Sequence, residues 1–224
     1  MKKGRSNSEG IDRFLKYSKG VIHVGGSIGQ ERRQYYELGL PVIWVEPIPE
    51  IFEQLKENIK YYKNQVAFKA LITDKDNKYY KFYITNNRGE SSSIYDFKLV
   101  NEVWSHIEIF KTMRLKSITL KTLLKREKIN LKKYDSLVLD TQGSELDVLK
   151  GADLTYIKYI KIEVPNFEAY KGGCQVEEVS WFMKKNGYKK VAWKDQIKYL
   201  RERKVLGSLN GKNYYDFVYK KRGV

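Results

Sequence analysis

The sequence has little cysteine and no long apolar run, and each shortage excludes a class of protein. Only one of its 224 residues is cysteine, Cys174, so no disulfide can form within the chain. We therefore expect a reducing, cytoplasmic compartment. No apolar stretch approaches the roughly 18 residues that a transmembrane helix needs, so we predict no transmembrane segment. The basic N-terminus also lacks the apolar core of a signal peptide.

Acidic residues are scarce relative to basic ones. The chain has 43 Lys and Arg against 27 Asp and Glu, which gives a net charge of +16. Such a charge is typical of proteins with an anionic partner, for example a nucleic acid, a phosphorylated donor or a membrane surface. The lysines are spread along the whole chain, however, which also fits a lysine-rich composition without a special partner. The charge alone therefore identifies no substrate.

Short apolar runs typical of strands alternate with stretches of helical periodicity. This order predicts an α/β fold with a mainly parallel sheet, in which a helical lead (1–20) precedes a single domain (21–224). We predict strands at residues 21–24, 42–46, 66–72, 79–85, 115–120, 136–140, 156–164, 188–193 and 214–220. We predict helices at residues 28–38, 51–59, 97–110, 120–127, 144–150 and 176–186. The remaining predictions are a polar loop at 86–93 and a polar, mobile segment at 195–212.

The strongest local motif is VIHVGGSIGQE, residues 21–31, which places a glycine-rich turn between a strand and a helix. Glycine lets the backbone approach a ligand closely, and the first N–H groups of a helix are free to bind it. Such a turn suits a phosphate, or the carboxylate and ribose edge of S-adenosylmethionine. A dinucleotide fingerprint starting at Gly25 would need glycine where Ser27 and Gln30 stand, which argues against a nicotinamide cofactor.

An acidic residue follows the turn at the spacing that ribose binding requires. Glu46 ends the second predicted strand, 21 residues after Gly25. An acid about 20 residues beyond such a turn can accept hydrogen bonds from ribose hydroxyls. The chain therefore has, in order, a strand, a glycine turn, a helix, a second strand and an acid. This order predicts a site for a ligand that contains a ribose.

A second motif, LVLDTQGSELDVLKGA, covers residues 137–152. Its Asp140 ends an apolar strand, so we expect it at the carboxyl edge of the sheet, where open α/β sheets bind ligands. The string D-x-Q-G-x-E-L-x-V-L-K-G-A resembles the hallmark of the FkbM-type methyltransferase family. VIWVEPIP, NNRGESSSI and IKIEVPNFEAYKGG resemble the other blocks of that family, in the expected order. The similarity runs from about residue 20 to residue 220.

The resemblance implies a Rossmann-like class I methyltransferase fold: a central, mostly parallel sheet of seven strands, the last antiparallel, with helices on both faces. It also implies S-adenosyl-L-methionine as the donor and a hydroxyl acceptor, often on a sugar, a glycolipid or a polyketide-type product. The family usually has aspartate where His23 stands, and some relatives have histidine, which indicates a subgroup. The residues expected to contact the donor are His23, Gly25, Gly26, Ser27, Gly29, Glu31, Glu46, Pro47, Leu71, Ser92 and Asp140.

The proton of an acceptor hydroxyl needs a base, and the candidates are Asp140 and His106. The resemblance implies that Asp140 lies beside the reacting centre, and His106 matches a histidine of the relatives with histidine at position 23. Asp140 and Glu163 end neighbouring predicted strands, so they are also candidate ligands of a divalent cation, Mg²⁺ or Mn²⁺. The residues expected to contact the acceptor are Ser91, Ser93, Gln142, Glu163 and Tyr170.

The leading hypothesis from the sequence is an O-methyltransferase with a carbohydrate or glycolipid acceptor. An RNA or DNA methyltransferase is the first alternative, motivated by the charge of +16 and the 14% of aromatic residues. No recognised nucleic-acid-binding motif supports it. A donor-binding module without catalysis is the second alternative, motivated by the unusual His23. The oligomeric state stays open.

Overall fold

A sheet of seven strands forms the centre of the protein. The structure, a computed structural model, describes residues 10–191 and 212–223. The strands in this part of the chain are β1 Val21–Val24, β2 Val42–Glu46, β3 Gln65–Lys69, β4 Leu71–Ile72, β5 Tyr79–Thr85, β6 Ile109–Ile118, β7 Ser136–Leu139, β8 Tyr159–Pro165, β9 Tyr188–Lys190 and β10 Tyr214–Lys221. The large sheet has the order β3-β2-β1-β7-β8-β10-β9, and β10 runs antiparallel to both of its neighbours.

Helices cover both faces of this sheet, as predicted. The helices of the described chain are α1 Arg32–Glu37, α2 Pro49–Ile59, α3 Val100–Val103, α4 Leu120–Arg126, α5 Glu145–Lys150 and α6 Val176–Lys185, with 3-10 helices at Ile11–Tyr17 and Leu131–Lys133. The first 3-10 helix, α1 and α2 pack on one face, where Tyr35 and Leu55 join a core around Trp44. Helices α4, α5 and α6 pack on the other face. The predicted class I methyltransferase architecture is therefore confirmed.

The middle strands of the sheet are apolar at nearly every position because both of their faces are covered. All residues of β1, β2 and β7 are buried. The parallel register sets Val24 beside Val45 on one side and beside Leu139 on the other. The three strands therefore end side by side, and the segments that follow them meet at one edge of the sheet. The strand order reverses between β1 and β7, which is where open α/β sheets bind ligands.

A second, three-stranded sheet has the order β4-β6-β5 and lies next to this edge. Its inner side carries Phe82 and Ile84, which pack against Ile48 and Leu71. Strand β5 was predicted, but its pairing with a long β6 was not. The small sheet matters for the site because Phe82 and Leu71 reach the cavity described below.

The predicted helix at residues 97–110 is wrong. Only α3 forms there, and Ile109 and Phe110 begin the ten-residue strand β6, so the predicted strand at 115–120 starts too late. The aromatic residues of this segment pack in several directions instead of along one helix face. Phe97, for example, forms an isolated bridge with Tyr170. Along β6 the exposed Thr112, Arg114 and Lys116 alternate with less exposed residues, which is the pattern of a strand.

Other predicted elements also differ in their bounds, two of them for a clear physical reason. The strand at 66–72 is divided into β3 and β4, because Ala70 donates its N–H to the carbonyl of Glu46 and the chain then joins the small sheet. The helix predicted from residue 28 begins at Arg32, because Gly29 has a φ of +75° that an α-helix does not allow. Three predicted regions lie at least partly outside the described residues: residues 1–9 of the helical lead, the end of the strand predicted at 188–193, including Trp193, and nearly all of the polar segment at 195–212.

No helix in the described part of the chain combines the length and the apolar character needed to cross a bilayer.

Candidate active site

A cavity of about 360 Å³ opens at the edge where β1, β2 and β7 end. Its volume lies within the range of about 300–1,000 Å³ that small-molecule sites occupy. All but one of the residues predicted to contact the donor line this cavity. The exception is Gly29, which packs against Leu55 of α2. The lining residues from that prediction are His23, Gly25, Gly26, Ser27, Glu31, Glu46, Pro47, Leu71, Ser92 and Asp140.

The glycine turn is held against two neighbouring strand ends. The N–H groups of Gly25 and Gly26 both donate to the carbonyl of Val45, and Asp140 donates its N–H to Val24. Gly25 has a φ of +82°, and a Cβ added there would lie 1.8 Å from the carbonyl oxygen of Asp140. Only glycine permits this approach, since any side chain would separate the turn from β7. The turn and Asp140 therefore form one unit.

Glu46 joins the same turn to the loop after β2. One carboxylate oxygen accepts the N–H of Ser27 at 3.0 Å, and the other accepts the N–H of Ile48 at 2.9 Å. Burial raises the pKa of Glu46 to about 7, although these two N–H groups act in the opposite direction. Each oxygen retains a free lone pair, because a carboxylate oxygen can accept two hydrogen bonds. The carboxylate is therefore suited to accept ribose hydroxyls.

The raised pKa of Glu46 gives a stability prediction for the ligand-free protein. The pKa is about 7 in the folded state against an ordinary value of 4.5, so the stability contribution is full below pH 4.5 and falls as pH rises to about 7. Glu46→Gln removes this titration. We expect the variant's free energy of unfolding, relative to wild type, to rise by up to about 3 kcal/mol between pH 5 and pH 8. Urea unfolding at several pH values measures it.

Asp76→Asn is the matched control for that series. Asp76 accepts hydrogen bonds from the Thr119 N–H and the Thr122 hydroxyl, which lower its pKa from 3.8. Its carboxyl is therefore ionised in both folded and unfolded states above pH 5, so the difference from wild type should be flat over the same range. A flat Glu46→Gln series would contradict the raised pKa of Glu46.

Asp140 is the acid that opens into the cavity beside the turn. Gln142 donates its side-chain N–H to Asp140 at 2.6 Å and lies 3.4 Å from Glu163. Although the Asp140 side chain is exposed to this cavity, desolvation by the surrounding protein raises the pKa of its carboxyl, and the charges of Glu145 and Asp216 raise it further. Burial and the charge of Asp140 likewise raise the pKa of Glu163. The pair therefore contains a carboxyl that can take up a proton near neutral pH.

A buried glutamate fixes the loop that carries Gln142. Glu145 is 1% exposed and accepts hydrogen bonds from the N–H groups of Thr141 and Gly143 and from the thiol of Cys174. Gln142 itself has a φ of +54°, in the left-handed region. The Q-G-x-E part of the second motif thus builds a closed turn. Sequence reasoning identified the motif but not this role of Glu145.

His23 lies under the turn as a neutral ring. Burial lowers its pKa to about 4, although Glu31 acts in the opposite direction. The ring stacks on Trp44 with centroids 4.8 Å apart, and Nδ1 lies 3.2 Å from the Tyr35 hydroxyl. Histidine therefore replaces the charge of an aspartate with a neutral, fixed hydrogen-bonding group.

A smaller polar cavity of about 60 Å³ lies behind Asp140 and shares His23 and Glu31 with the large one. Lys161, Glu163 and Asp216 also line it. Lys161 forms an ion pair of 2.7 Å with Asp12 on the first 3-10 helix. The sequence did not predict Lys161 or Asp216, because they come from β8 and β10, which pair only in the folded chain.

The residues predicted to contact the acceptor occupy different places. Gln142 lines the large cavity, and Glu163 lines the small one. The Tyr170 hydroxyl donates to the Ser91 carbonyl and lies 2.9 Å from the Gln142 oxygen. The hydroxyls of Ser91 and Ser93 accept hydrogen bonds from Asn87 and Tyr95 within their own loop.

His106, the other predicted base, lies outside both cavities. It is exposed on the segment between α3 and β6, and its carbonyl accepts a hydrogen bond from the Asn86 side chain. Of the two candidate bases, only Asp140 reaches the cavity.

The predicted cation site has two carboxylates, Asp140 and Glu163. Both contact Gln142, whose side-chain N–H occupies the space between them. Within residues 10–191 and 212–223, no group of three or more His, Cys, Asp or Glu side chains is arranged to hold a metal ion. The cation stays a prediction without support from this geometry.

Several cavity residues carried no signal in the sequence. Ile48, Ile72 and Phe82 give one end of the cavity an apolar wall, suited to a purine ring. They come from a loop and from the small sheet, whose pairing was not predicted. The other unpredicted lining residues are Val24, Gln30, Ala70, Gly89, Glu90, Thr141 and Ser144.

Comparison with known protein families identifies the chain. Residues 23–190, about three quarters of the sequence, match the methyltransferase FkbM domain. The chain belongs to the FkbM methyltransferase family. It is accordingly an S-adenosylmethionine-dependent methyltransferase. No curated protein sequence matches this FkbM chain.

Solved structures with a similar fold are distant in sequence. The methyltransferase domain of bacterial CtHen1 is 12% identical, with a TM-score of 0.43 and coverage of 93% of this chain and 92% of that one. A TehB-like methyltransferase from Corynebacterium glutamicum is 10% identical, with a TM-score of 0.46 and coverage of 98% and 90%. The O-methyltransferase segment of StiE is 12% identical, with a TM-score of 0.45 and coverage of 94% and 70%. None of their acceptors transfers to this FkbM methyltransferase.

Proposed function

We propose that this FkbM methyltransferase transfers the methyl group of S-adenosylmethionine to a hydroxyl oxygen of a carbohydrate or glycolipid. The observation that carries the proposal is the Asp140 carboxyl, which opens into the cavity beside the glycine turn and has a raised pKa. A carboxylate with a raised pKa is a better proton acceptor near neutral pH. A hydroxyl acceptor needs such a base because its proton has to be removed when the oxygen is methylated.

The donor would lie across the ends of β1 and β2. The turn at Gly25 and Gly26, which lines the cavity, would contact its amino-acid portion, and Glu46 would accept the ribose hydroxyls. Leu71, Ile72 and Phe82 would enclose the adenine. This orientation directs the sulfonium end towards Asp140.

Bound S-adenosylmethionine supplies an activated methyl group on a sulfonium. The task of the protein is then to orient the acceptor oxygen and to remove its proton. Asp140 would accept that proton, and Gln142 would hold the Asp140 carboxyl in position through the 2.6 Å hydrogen bond. We favour Asp140 over His106 as the base because His106 lies outside the cavity.

A cluster of aromatic side chains lies close to the proposed base. Phe97, Trp104, Phe167 and Tyr170 lie in one apolar cluster that Tyr214 joins from β10. Tyr170 connects this cluster to Gln142 through its hydroxyl. These rings line neither of the two cavities described above, so the carbohydrate class of the acceptor follows from the resemblance of the sequence and not from this cluster.

Isothermal titration tests the donor site first. We expect S-adenosylmethionine and S-adenosylhomocysteine to bind wild type, and Glu46→Ala to lose about tenfold or more in affinity, because hydrogen bonds to a charged group contribute about 1.5–3 kcal/mol. Methyl transfer to a panel of methyl glycopyranosides then tests the acceptor class. Binding without transfer to any glycoside would refute the sugar acceptor, and no binding at millimolar donor would refute the donor site.

A nucleic-acid acceptor is the second candidate, because of the outer face of the β5–β6 hairpin. There Arg114 stacks on Tyr79 at 4.2 Å, and the Lys81 ammonium lies 4.9 Å from the ring centre of Tyr83. Cations interleaved with aromatic rings are typical of single-stranded nucleic-acid surfaces. Methyl transfer to an oligonucleotide, together with salt-dependent binding, would favour this candidate over the glycoside.

A further inference from the structure

One buried hydroxyl near the acids of the site has no hydrogen-bond partner. The Tyr214 oxygen is one of only two buried side-chain polar atoms without a partner among the described residues. The other is the carbonyl oxygen of Asn64, whose amide nitrogen is bonded to Leu40. Leaving a buried hydroxyl unpaired costs free energy, so such groups are rare and often have a ligand to satisfy them.

The ring of Tyr214 is fixed in position by its neighbours. Trp104 packs against it with centroids 4.9 Å apart, and Phe167 meets it edge-on at 5.4 Å. The backbone is also tied down, because Asn213 and Asn166 exchange hydrogen bonds next to it. The hydroxyl therefore cannot turn easily to another partner, and it is already oriented for a ligand.

The register of the sheet puts this hydroxyl among the acids of the site. Tyr214 pairs with Pro165, and Asp216 pairs with Glu163, so all four side chains lie on the same face. Tyr214 and Glu163 are diagonal neighbours, which long side chains can bridge across about 7–8 Å. Burial raises the pKa of Tyr214 well above its ordinary value, and the charges of Glu163, Glu145 and Asp140 raise it further.

The neighbouring hydrogen-bond network does not include Tyr214. Tyr170 bonds to Gln142, and Gln142 contacts both Asp140 and Glu163. These groups satisfy one another's hydrogen-bonding capacity and hold Asp140, the proposed base, in position. An acceptor that presents one oxygen to Asp140 would offer the Tyr214 hydroxyl its missing partner through a second oxygen.

We propose that Tyr214 is an acceptor-binding residue that donates its hydroxyl to a second oxygen of the acceptor, and so selects polyols over simple alcohols. This inference rests on the proposed function, since it takes Asp140 as the group that faces the reacting hydroxyl. Sites that hydrogen-bond a substrate hydroxyl discriminate strongly against the analogue without it, because their own polar group is then left unpaired.

The first test uses the free protein and the variant Tyr214→Phe. If the hydroxyl has no partner, its removal should leave the unfolding temperature unchanged or raise it. Tyr219→Phe on the same strand is the matched control, because its hydroxyl lies 3.1 Å from that of Ser180. We expect the control to lower the unfolding temperature by about 2–4 °C. A fall of that size for Tyr214→Phe would show a partnered, structural hydroxyl and overturn the proposal.

The second test compares acceptors on both variants. With the methyl glycopyranoside that wild type uses best, Tyr214→Phe should lower kcat/KM about tenfold to a hundredfold, with unchanged affinity for S-adenosylhomocysteine. On the series of its monodeoxy analogues, one analogue should be methylated equally by wild type and variant, since the partner oxygen is gone.

The outcomes of the second test separate the two proposals. The same loss on every analogue, or no loss on the parent glycoside, would overturn the role of Tyr214 and leave the glycoside acceptor intact. Wild type that binds S-adenosylhomocysteine but methylates no glycoside would refute the proposed acceptor, and with it this inference.

Discussion

A Gly25→Ala variant is expected to lose at least about a hundredfold in the rate of methyl transfer and to bind S-adenosylmethionine more weakly. The added Cβ would lie 1.8 Å from the Asp140 carbonyl oxygen, and the residue would keep a strained φ of +82°. The contact is with backbone, so relief requires the turn to move away from β7. A displacement of about 1 Å at a reacting centre costs about a hundredfold in rate. Donor titration and a methyl-transfer assay measure the two losses.

Gly39→Ala is the control that separates strain from contact. Gly39 has a φ of +70°, and no described atom lies within 4 Å of an added Cβ. Both variants therefore carry a left-handed alanine, at a cost of about 1–2 kcal/mol, but only Gly25→Ala separates two strand ends. Gly39→Ala should lose stability and keep its affinity for the donor. Equal donor binding by the two variants would contradict the described role of the turn.

Asp140→Asn is expected to lower kcat by about a hundredfold to ten-thousandfold, the range for removal of a general base. Donor affinity should change little, because Glu46 and the backbone turn remain. The raised pKa of Asp140 sets the sign of the pH dependence: the carboxyl is protonated below its pKa, so the wild-type rate should rise with pH and level off above it. Asparagine does not titrate, and the variant should lack this rise.

Asp216→Asn tests the same assignment from β10. The charge of Asp216 raises the pKa of Asp140. Removing that charge should therefore shift the rising limb of the rate profile to lower pH while turnover continues. Asp153→Asn, at a half-buried turn acid outside both cavities, should leave the profile as in wild type. If the Asp140→Asn variant kept the rise of the rate with pH, that rise would belong to another titrating group.

The parts of the fold that the sequence predicts are those specified by local signals. The runs that form β1, β2 and β7 are apolar throughout, because both faces of the central sheet are covered. The glycine turn follows directly from its composition. The prediction for residues 97–118 was wrong for the opposite reason. The strand there is specified by its pairing with β5, which is distant in the sequence. The aromatic residues of this region are compatible with a helix or a strand until their packing partners are known.

The residues of the candidate site differ in the same way in how far the sequence predicts them. The proposed donor side comes from two continuous motifs, so Gly25, Glu46 and Asp140 were found from the sequence and line one cavity. The proposed acceptor side is assembled from distant strands. Asp216 and Tyr214 reach Glu163 only because β10 inserts antiparallel beside β8, and the sequence near them has no motif that indicates it. His106 lines neither cavity, because a match of residue type carries no information about where a side chain points.

The basic character of the chain has a consequence for its behaviour in concentrated solution. An open sheet leaves unpaired N–H and C=O groups along its outermost strands, and these can recruit a strand from another molecule and start aggregation. Here β3 and β9 flank the large sheet, and β5 flanks the small one. Each of them carries exposed lysine: Lys69 on β3, Lys81 on β5, and Lys189 and Lys190 on β9. Like charges at these borders repel a second copy of the chain, so part of the excess of lysine acts as a barrier between molecules.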